Sequence, residues 1–185
     1  VDPDTFSSSI GIPMPSTDIS LRNEEGTEVE IGEPGELCAK GPQVMSGYWR
    51  NKEETEKVTT ADGYFMTGDV AILTKDGLFK IVDRMKDIII VSGFNVYPNE
   101  IEAVIANMEG VLESACIGVP SEKTDEAVKL FVVKNEGAEL TEEDIIEFCR
   151  KHLVRYKVPK QVEFIDAVPK SAVGKLLRRE LRPKP

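Results

Sequence analysis

Residues Asp83-Arg84-Met85-Lys86-Asp87 set four charges directly against the apolar run Ile88-Ile89-Ile90-Val91, which ends at Ser92-Gly93-Phe94-Asn95. Burying unpaired charge is too costly for one strand to carry both halves of this pattern. The stretch reads as a polar junction that feeds a buried strand, and the chain changes character across it.

Before the junction the sequence predicts short strands around several glycines. Thr17–Arg22 reads as a strand and Asn23-Glu24-Glu25-Gly26 as its turn, with Thr27–Ile31 as the returning strand. Gly32-Glu33-Pro34-Gly35 is a second turn and Glu36–Lys40 a further strand. Lys52–Val58 is polar and predicts a short helix. Val70–Thr74 and Leu78–Val82 flank Lys75-Asp76-Gly77, a hairpin signal.

After the junction, helices and strands alternate. Asp87–Val91 predicts a strand. Tyr97-Pro98-Asn99-Glu100 opens a helix with Asn99 as N-cap. Ile101, Val104, Ile105 and Met108 follow at helical spacing, and Gly110 ends the segment. Ser114–Val119 and Lys129–Lys134 read as strands. Thr141-Glu142-Glu143-Asp144 resembles a capping box with Asp in place of Glu, ahead of Ile145, Ile146, Phe148, Cys149 and Leu153. Gln161–Ile165 predicts a strand and Leu176–Leu181 a short helix. The fold class is α+β, with a small α+β domain from about residue 84 to 185.

With 33 Asp and Glu against 23 Lys and Arg, the net charge is −10. That excludes a sequence-independent nucleic-acid binder, which needs a basic face. Lys175, Arg178, Arg179, Arg182 and Lys184 form a local basic patch. Cys38, Cys116 and Cys149 are widely spaced, with no metal-ligand spacing, and predict reduced, mostly buried thiols. His152 reads as a helix C-terminal histidine rather than the partner of a catalytic cysteine. No apolar run approaches the ~20 residues that span a bilayer, and no signal-peptide pattern is visible. A cytoplasmic protein is expected. The first residue is Val1, not Met, so an internal cut point is expected there.

Three motifs carry chemistry. In Tyr64-Phe65-Met66-Thr67-Gly68-Asp69, Gly68 permits a tight turn, and the Asp69 carboxylate on it can accept both hydroxyls of a ribose diol. Arg84 offers a planar donor to ribose or phosphate oxygens. Lys175, after Gly174 in a loop, can bring a compact positive charge to phosphate or carboxylate oxygens. Each has an ordinary alternative. Thr67-Gly68-Asp69 suits a β-turn whose Asp caps amides. Arg84 suits a structural ion pair, Lys86 a solvated charge, Ser92-Gly93 a plain strand-to-loop step, and Lys175 a solvated basic tail.

Taken together, in order and at consistent spacing, the motifs resemble the adenylate-forming superfamily. Its members are acyl-CoA synthetases, firefly-type luciferases and the adenylation domains of peptide synthetases. Gly35-Glu36-Leu37 with Gly41 and Gly47-Tyr48 is similar to its glycine-rich segment; Tyr64–Asp69, Asp83–Glu102 and Pro169–Leu181 are similar to later core motifs. The wording of Gly35–Met45, Val91–Glu102 and Tyr156-Lys157-Val158-Pro159-Lys160 is very similar to bacterial long-chain fatty acid–CoA ligases. Ile90 stands where luciferases tend to carry lysine.

The resemblance implies two half-reactions: ATP and a fatty acid give an acyl-adenylate and pyrophosphate, then CoA gives acyl-CoA and AMP. It implies that Asp69 and Arg84 bind the ATP/AMP ribose, and that Lys175 is catalytic in adenylation. Lys86 would be a hinge, and Ser92 and Gly93 would line the CoA channel. Residues 1–83 would be the last, β-barrel-like subdomain of the large AMP-binding domain, 84–86 the hinge, and 87–185 a mobile domain with a short central sheet flanked by helices. The family's Ser/Thr/Gly-rich phosphate loop and the Thr-Glu pair whose glutamate supports Mg²⁺ do not occur in this chain, so no metal ligand is assigned and the fragment alone is expected to be inactive. The partners implied are fatty acid, ATP and CoA. Peripheral association of the whole enzyme with the inner face of the cell membrane fits a substrate that partitions into lipid. Self-association of the fragment follows if the face of residues 1–83 lacks its cover. The alternatives are another acyl- or aryl-CoA ligase, a luciferase-like or peptide-synthetase enzyme, or a non-catalytic binding module.

Overall fold

The computed structural model describes residues 8–182. The chain forms two compact units, Val1–Lys86 and Asp87–Pro185. Lys184, the last member of the basic patch, lies outside the described residues.

The first unit is an antiparallel sheet of β1 (Asp18–Arg22), β2 (Gly35–Lys40), β3 (Phe65–Leu73) and β4 (Phe79–Arg84), in the order β1-β2-β3-β4, with one short helix α1 (Lys52–Lys57). Strand alternation sends Leu21, Leu37 and Ala71 to one face, where Ile19, Ala39, Leu73, Phe79 and Ile81 pack on them. Ser20, Cys38 and Val70 are buried on the other. Helix α1 buries nothing and is held by its ends. Asn51 Oδ1 accepts from the Glu54 amide at 3.2 Å, and Lys57 pairs with Glu53 and Glu54.

Two expectations change here. The sheet is open among the described residues, with no pairing of β4 to β1, so the barrel-like reading gives way to an open antiparallel sheet. Four strands are too few to close around a filled interior. Thr27–Ile31 is not a strand: it makes a single bridge, Arg22 to Glu28, and the ladder partner of β1 is β2. Val29 still adds its side chain to the core.

The second unit is a five-stranded sheet of β5 (Ile89–Val91), β6 (Phe94–Val96), β7 (Val111–Ser121), β8 (Asp125–Lys134) and β9 (Gln161–Phe164). The order is β6-β5-β8-β7, and β9 lies parallel beside β8. Two helices, α2 (Pro98–Ile105) and α3 (Glu142–His152), cover one face. Ile101, Ile105, Ile145 and Cys149 meet Val128, Leu130 and Val132 of β8 there. Each buried aliphatic chain contributes roughly 1.5–3 kcal/mol relative to exposure. The other face carries Ala115, Ile117, Ala127, Phe131 and Val133. It is closed by Val168, Ile165, Leu176 and Leu181. The sheet therefore has helices on one side and the C-terminal segment on the other.

Local rules explain most of these elements. Helix α3 opens on the expected capping box: Thr141 Oγ1 accepts from the Asp144 amide at 3.2 Å, and Asp144 accepts from the Thr141 amide at 2.9 Å. The Thr141 hydroxyl, donating to Asp144 Oδ2 at 2.6 Å, and after it the Thr141 amide hold the Asp144 carboxyl below its ordinary range. Basic residues fill the last turn, where His152 Nδ1 lies 2.9 Å from the Phe148 carbonyl. Helix α2 starts two residues earlier than expected. Its N-cap is Tyr97, and Pro98 takes the first helical position, where a missing N–H costs nothing. Strands β7 and β8 run past Ser114–Val119 and Lys129–Lys134, because continuous register from Glu113–Val133 to Ser121–Asp125 rewards extension. The expected helix over Leu176–Leu181 is only a 3-10 turn, Arg178–Glu180.

Cys38, Cys116 and Cys149 are free and buried. Burial raises the Cys149 thiol to about 11 and raises that of Cys38 as well. Among the described residues, no helix is long and apolar enough to cross a membrane.

Candidate functional site

Thr67-Gly68-Asp69 does not form the expected turn. It lies inside β3, at a bulge. The register runs Cys38 to Met66 and Glu36 to Val70, so three residues of β3 face Leu37 alone. Gly68 takes φ +73°, a left-handed conformation that an L side chain rarely adopts. The bulge is stitched on both sides. Thr67 Oγ1 donates to the Leu37 carbonyl at 2.7 Å, and the Gly68 amide donates to Glu36 Oε1 at 3.1 Å. The Asp69 amide donates to Thr67 Oγ1 at 3.2 Å.

Beyond the bulge, the ladder to β4 sets Asp69 opposite Arg84 and Val70 opposite Asp83. Arg84 Nε lies 3.1 Å from Asp69 Oδ1. Thus two of the sequence-predicted residues are brought together by register alone. Both side chains remain accessible, so the carboxylate keeps acceptor positions for other donors. Asp83, counted in the sequence among the junction charges, is a buried anchor at 1% exposure. Its Oδ1 accepts from the Arg84 amide at 2.8 Å, which holds the arginine's backbone. Lys86 is exposed in the 3-10 turn Met85–Asp87.

Ser92 and Gly93 form the two-residue tip of the β5–β6 hairpin, with Val91 paired to Phe94. Both have positive φ, 51° and 81°, the signature of a type I′ turn. The Ser92 amide donates to the Thr124 carbonyl at 3.0 Å, tying the tip to the β7–β8 turn. Phe94 stacks on Tyr156 with centroids 4.7 Å apart. Open space surrounds the Cβ position of Gly93, so the backbone there is accessible.

Lys175 follows a tight loop closed by the bridge Lys170 to Leu176. The Ser171 amide donates to the Lys175 carbonyl at 2.8 Å, and the Lys175 amide to Ser171 Oγ at 3.1 Å. The side chain is exposed, while Leu176 beside it packs on the sheet.

The basic patch is not a free one. Arg178 is only 12% exposed and lies against Glu102, Asn99 and Asp87, and Arg182 donates to Asp87 at 2.8 Å. Asn99, expected as an N-cap, is instead an acceptor for Arg178 at 2.7 Å. Sequence reasoning missed this network. Its one local signal was a cation set between Leu177 and Leu181, an odd place for a solvated charge.

The first unit thus presents a strand-borne carboxylate–guanidinium pair, and the second a hairpin tip with positive φ and an exposed lysine loop. The sequence profile of the AMP-binding enzyme family matches residues 1–49, and that of the AMP-binding enzyme C-terminal domain matches residues 100–175. The chain belongs to the AMP-binding, adenylate-forming enzyme family. It is 59% identical over 177 residues to a long-chain-fatty-acid–CoA ligase of Yersinia pestis, which covers 96% of this chain and 31% of that protein. It is 42% identical to the 3-[(3aS,4S,7aS)-7a-methyl-1,5-dioxo-octahydro-1H-inden-4-yl]propanoyl:CoA ligase of Rhodococcus jostii, over 98% of this chain and 33% of that one. The structure of ATP-bound MatB from Rhodopseudomonas palustris superposes with a TM-score of 0.93 at 38% identity, covering 98% of this chain and 36% of that chain. The chain thus spans about a third of the length of the curated relatives it matches.

Proposed function

We propose that this chain is the C-terminal portion of a long-chain fatty acid–CoA ligase. The observation that carries the reading is the Asp69–Arg84 pair, 3.1 Å apart on a stitched bulge. It is a rigid acceptor–donor pair suited to a ribose diol, in a chain whose relatives are named CoA ligases. In this reading Asp69 accepts from the two ribose hydroxyls of ATP and Arg84 donates to ribose or phosphate oxygens. The fatty acid carboxylate attacks the α-phosphorus and pyrophosphate leaves. Lys175 offers a point charge to the oxygens on which negative charge gathers. The CoA sulfur then attacks the acyl carbon and AMP leaves, with the Ser92-Gly93 tip lining the channel for the pantetheine arm. Lys86 is the hinge between these two uses of residues 87–185. Residues 1–83 are then the end of the large AMP-binding domain. Mg²⁺ is assigned to a part of the enzyme outside this chain.

The surface of the first unit supports the same reading. Trp49 is 86% exposed, Met45 and Tyr48 are exposed close to it in sequence, and Ile10, Ile12 and Met14 are exposed further toward the N-terminus. Such a set suits a face covered by more protein. Light scattering on the isolated 185-residue chain is expected to show concentration-dependent self-association; a strict monomer at high concentration counts against a covered face.

A second reading keeps the chemistry and changes the acid, since the Rhodococcus relative is named for a different carboxylate. ATP–pyrophosphate exchange separates the readings. The full-length protein should exchange with long-chain fatty acids, and this chain alone should not. Exchange driven only by other acids selects the second reading. No exchange with any acid leaves the non-catalytic module.

A further inference from the structure

Lys175 sits on an exposed loop, yet the adenylation role requires its ammonium group at a defined place. The backbone bonds inside the loop fix its shape but not its location. Leu176 and Leu181 anchor it to the sheet through contacts that have no direction. The Lys170–Glu113 ion pair ties the base of the loop to β7, and the end that follows Lys175 needs a directional hold of its own.

Arg178 supplies that. Its Nη2 lies 2.7 Å from Asn99 Oδ1 and 2.9 and 2.8 Å from the two Glu102 oxygens. Glu102 is itself held: its Oε1 accepts from the Cys116 amide of β7 at 2.7 Å. Asp87, 11% exposed, accepts from Arg182 at 2.8 Å and lies 3.9 Å from Arg178 Nη1. Two cations and two carboxylates thus balance in a mostly buried cluster. It joins the Lys175 loop to helix α2, to β7 and to the residue that follows Lys86. The planar guanidinium turns Nη2 toward Glu102 and Asn99 and Nη1 toward Asp87, so it sets direction as well as distance.

Resting on the ligase reading above, we infer that Arg178 is the positioning residue for Lys175. Through Glu102, Asn99 and Asp87 it makes the lysine loop move as one body with the residue that follows the hinge. Arg178 touches no reacting atom in this role. Without it, Leu176 and Leu181 still bury and Lys170 still pairs with Glu113, but the Lys175 end of the loop loses its orientation.

The test uses the full-length protein carrying Arg178→Gln, Arg178→Lys or Glu102→Gln. Arg178→Gln should lower kcat for ATP–pyrophosphate exchange by about 10²-fold, the scale of a misplacement near 1 Å. KM values should stay within about threefold, since ground-state binding is untouched. Arg178→Lys keeps the charge without the planar group and should lose less. Glu102→Gln, the mildest change to the fold, should lose least but measurably. Transfer of the acyl group from preformed adenylate to CoA should be nearly unchanged in all three. Hydrogen exchange should speed up at the amides of Ser171, Gly174 and Lys175 while β7–β8 stays protected. Exchange kinetics unchanged in Arg178→Gln, or both half-reactions lowered equally in Glu102→Gln with β7–β8 still protected, overturns the inference. A wild-type protein without exchange activity overturns the ligase reading instead.

Discussion

The two units present their candidate site residues by different physical means. In the first, Asp69 and Arg84 are placed by the backbone: a bulge, a ladder register and the buried Asp83 decide where both side chains start. In the second, Lys175 is placed by side chains. Its loop is pinned by Leu176 and Leu181 and by the balanced cluster around Arg178. The Ser92-Gly93 tip is intermediate, a backbone turn fastened by one amide to the Thr124 carbonyl. Register-held groups tolerate little backbone change. A loop held by side chains depends on distant partners.

The largest effect should come from the side-chain-held residue. Lys175→Ala in the full-length protein should cut adenylation by about 10²-fold or more, the loss expected for one charged stabiliser. Transfer from preformed adenylate should be largely spared. Equal losses in both half-reactions would remove Lys175 from its assigned step.

The next effect probes the backbone-held pair. Gly68→Ala introduces no clash, because open space surrounds the Cβ position, so its cost is conformational alone. Holding alanine at φ +73° should cost roughly 1–2 kcal/mol of first-unit stability. The Asp69–Arg84 register should loosen with it, weakening ATP binding. Calorimetric unfolding at wild-type temperature would show that the bulge relaxes freely and that register is not what holds the pair.

The smallest effect separates the units by pH. Arg22 donates to both Asp62 oxygens at 2.9 and 2.6 Å, and Thr60 Oγ1 donates at 2.7 Å, so the Asp62 carboxyl is held well below its ordinary 3.8. A depressed carboxyl stabilises the fold above its unfolded pKa and loses that contribution as pH falls toward the folded one. Asp62→Asn should therefore weaken the first unit slightly at pH 7, with the gap closing below pH about 4. The effect is small because Asp62 is exposed and screened. A gap that does not change with pH would mean the ion pair contributes nothing. In the second unit the Cys149 thiol, raised to about 11 by burial from 9.0, works at the other end. Its contribution is complete below 9.0 and is lost as pH rises through 11.

Much of this was legible along the chain because the determining contacts are local. Thr141 and Asp144 are three residues apart and cap each other, so α3 and its start were readable. The change of character near Arg84–Lys86 was visible as charge against a β-branched run. Where partners are remote, the reading failed. Thr67-Gly68-Asp69 looked like a turn because glycine permits either, and only Leu37 and Glu36 on the neighbouring strand make it a bulge. The basic C-terminal segment looked solvated because Asp87 and Glu102 are far from Arg178 in sequence.

Sequence by itself therefore determined most of the elements, the α+β class and the family, since periodicity, caps and motif wording act over a few residues. The tertiary structure alone decided that Asp69 meets Arg84, that Asp83 is an anchor, and that Arg178 is bound rather than free. The physical reason is the same in each case. Register and charge balance are set by which distant residues share a small, poorly solvated space, and no local pattern specifies that.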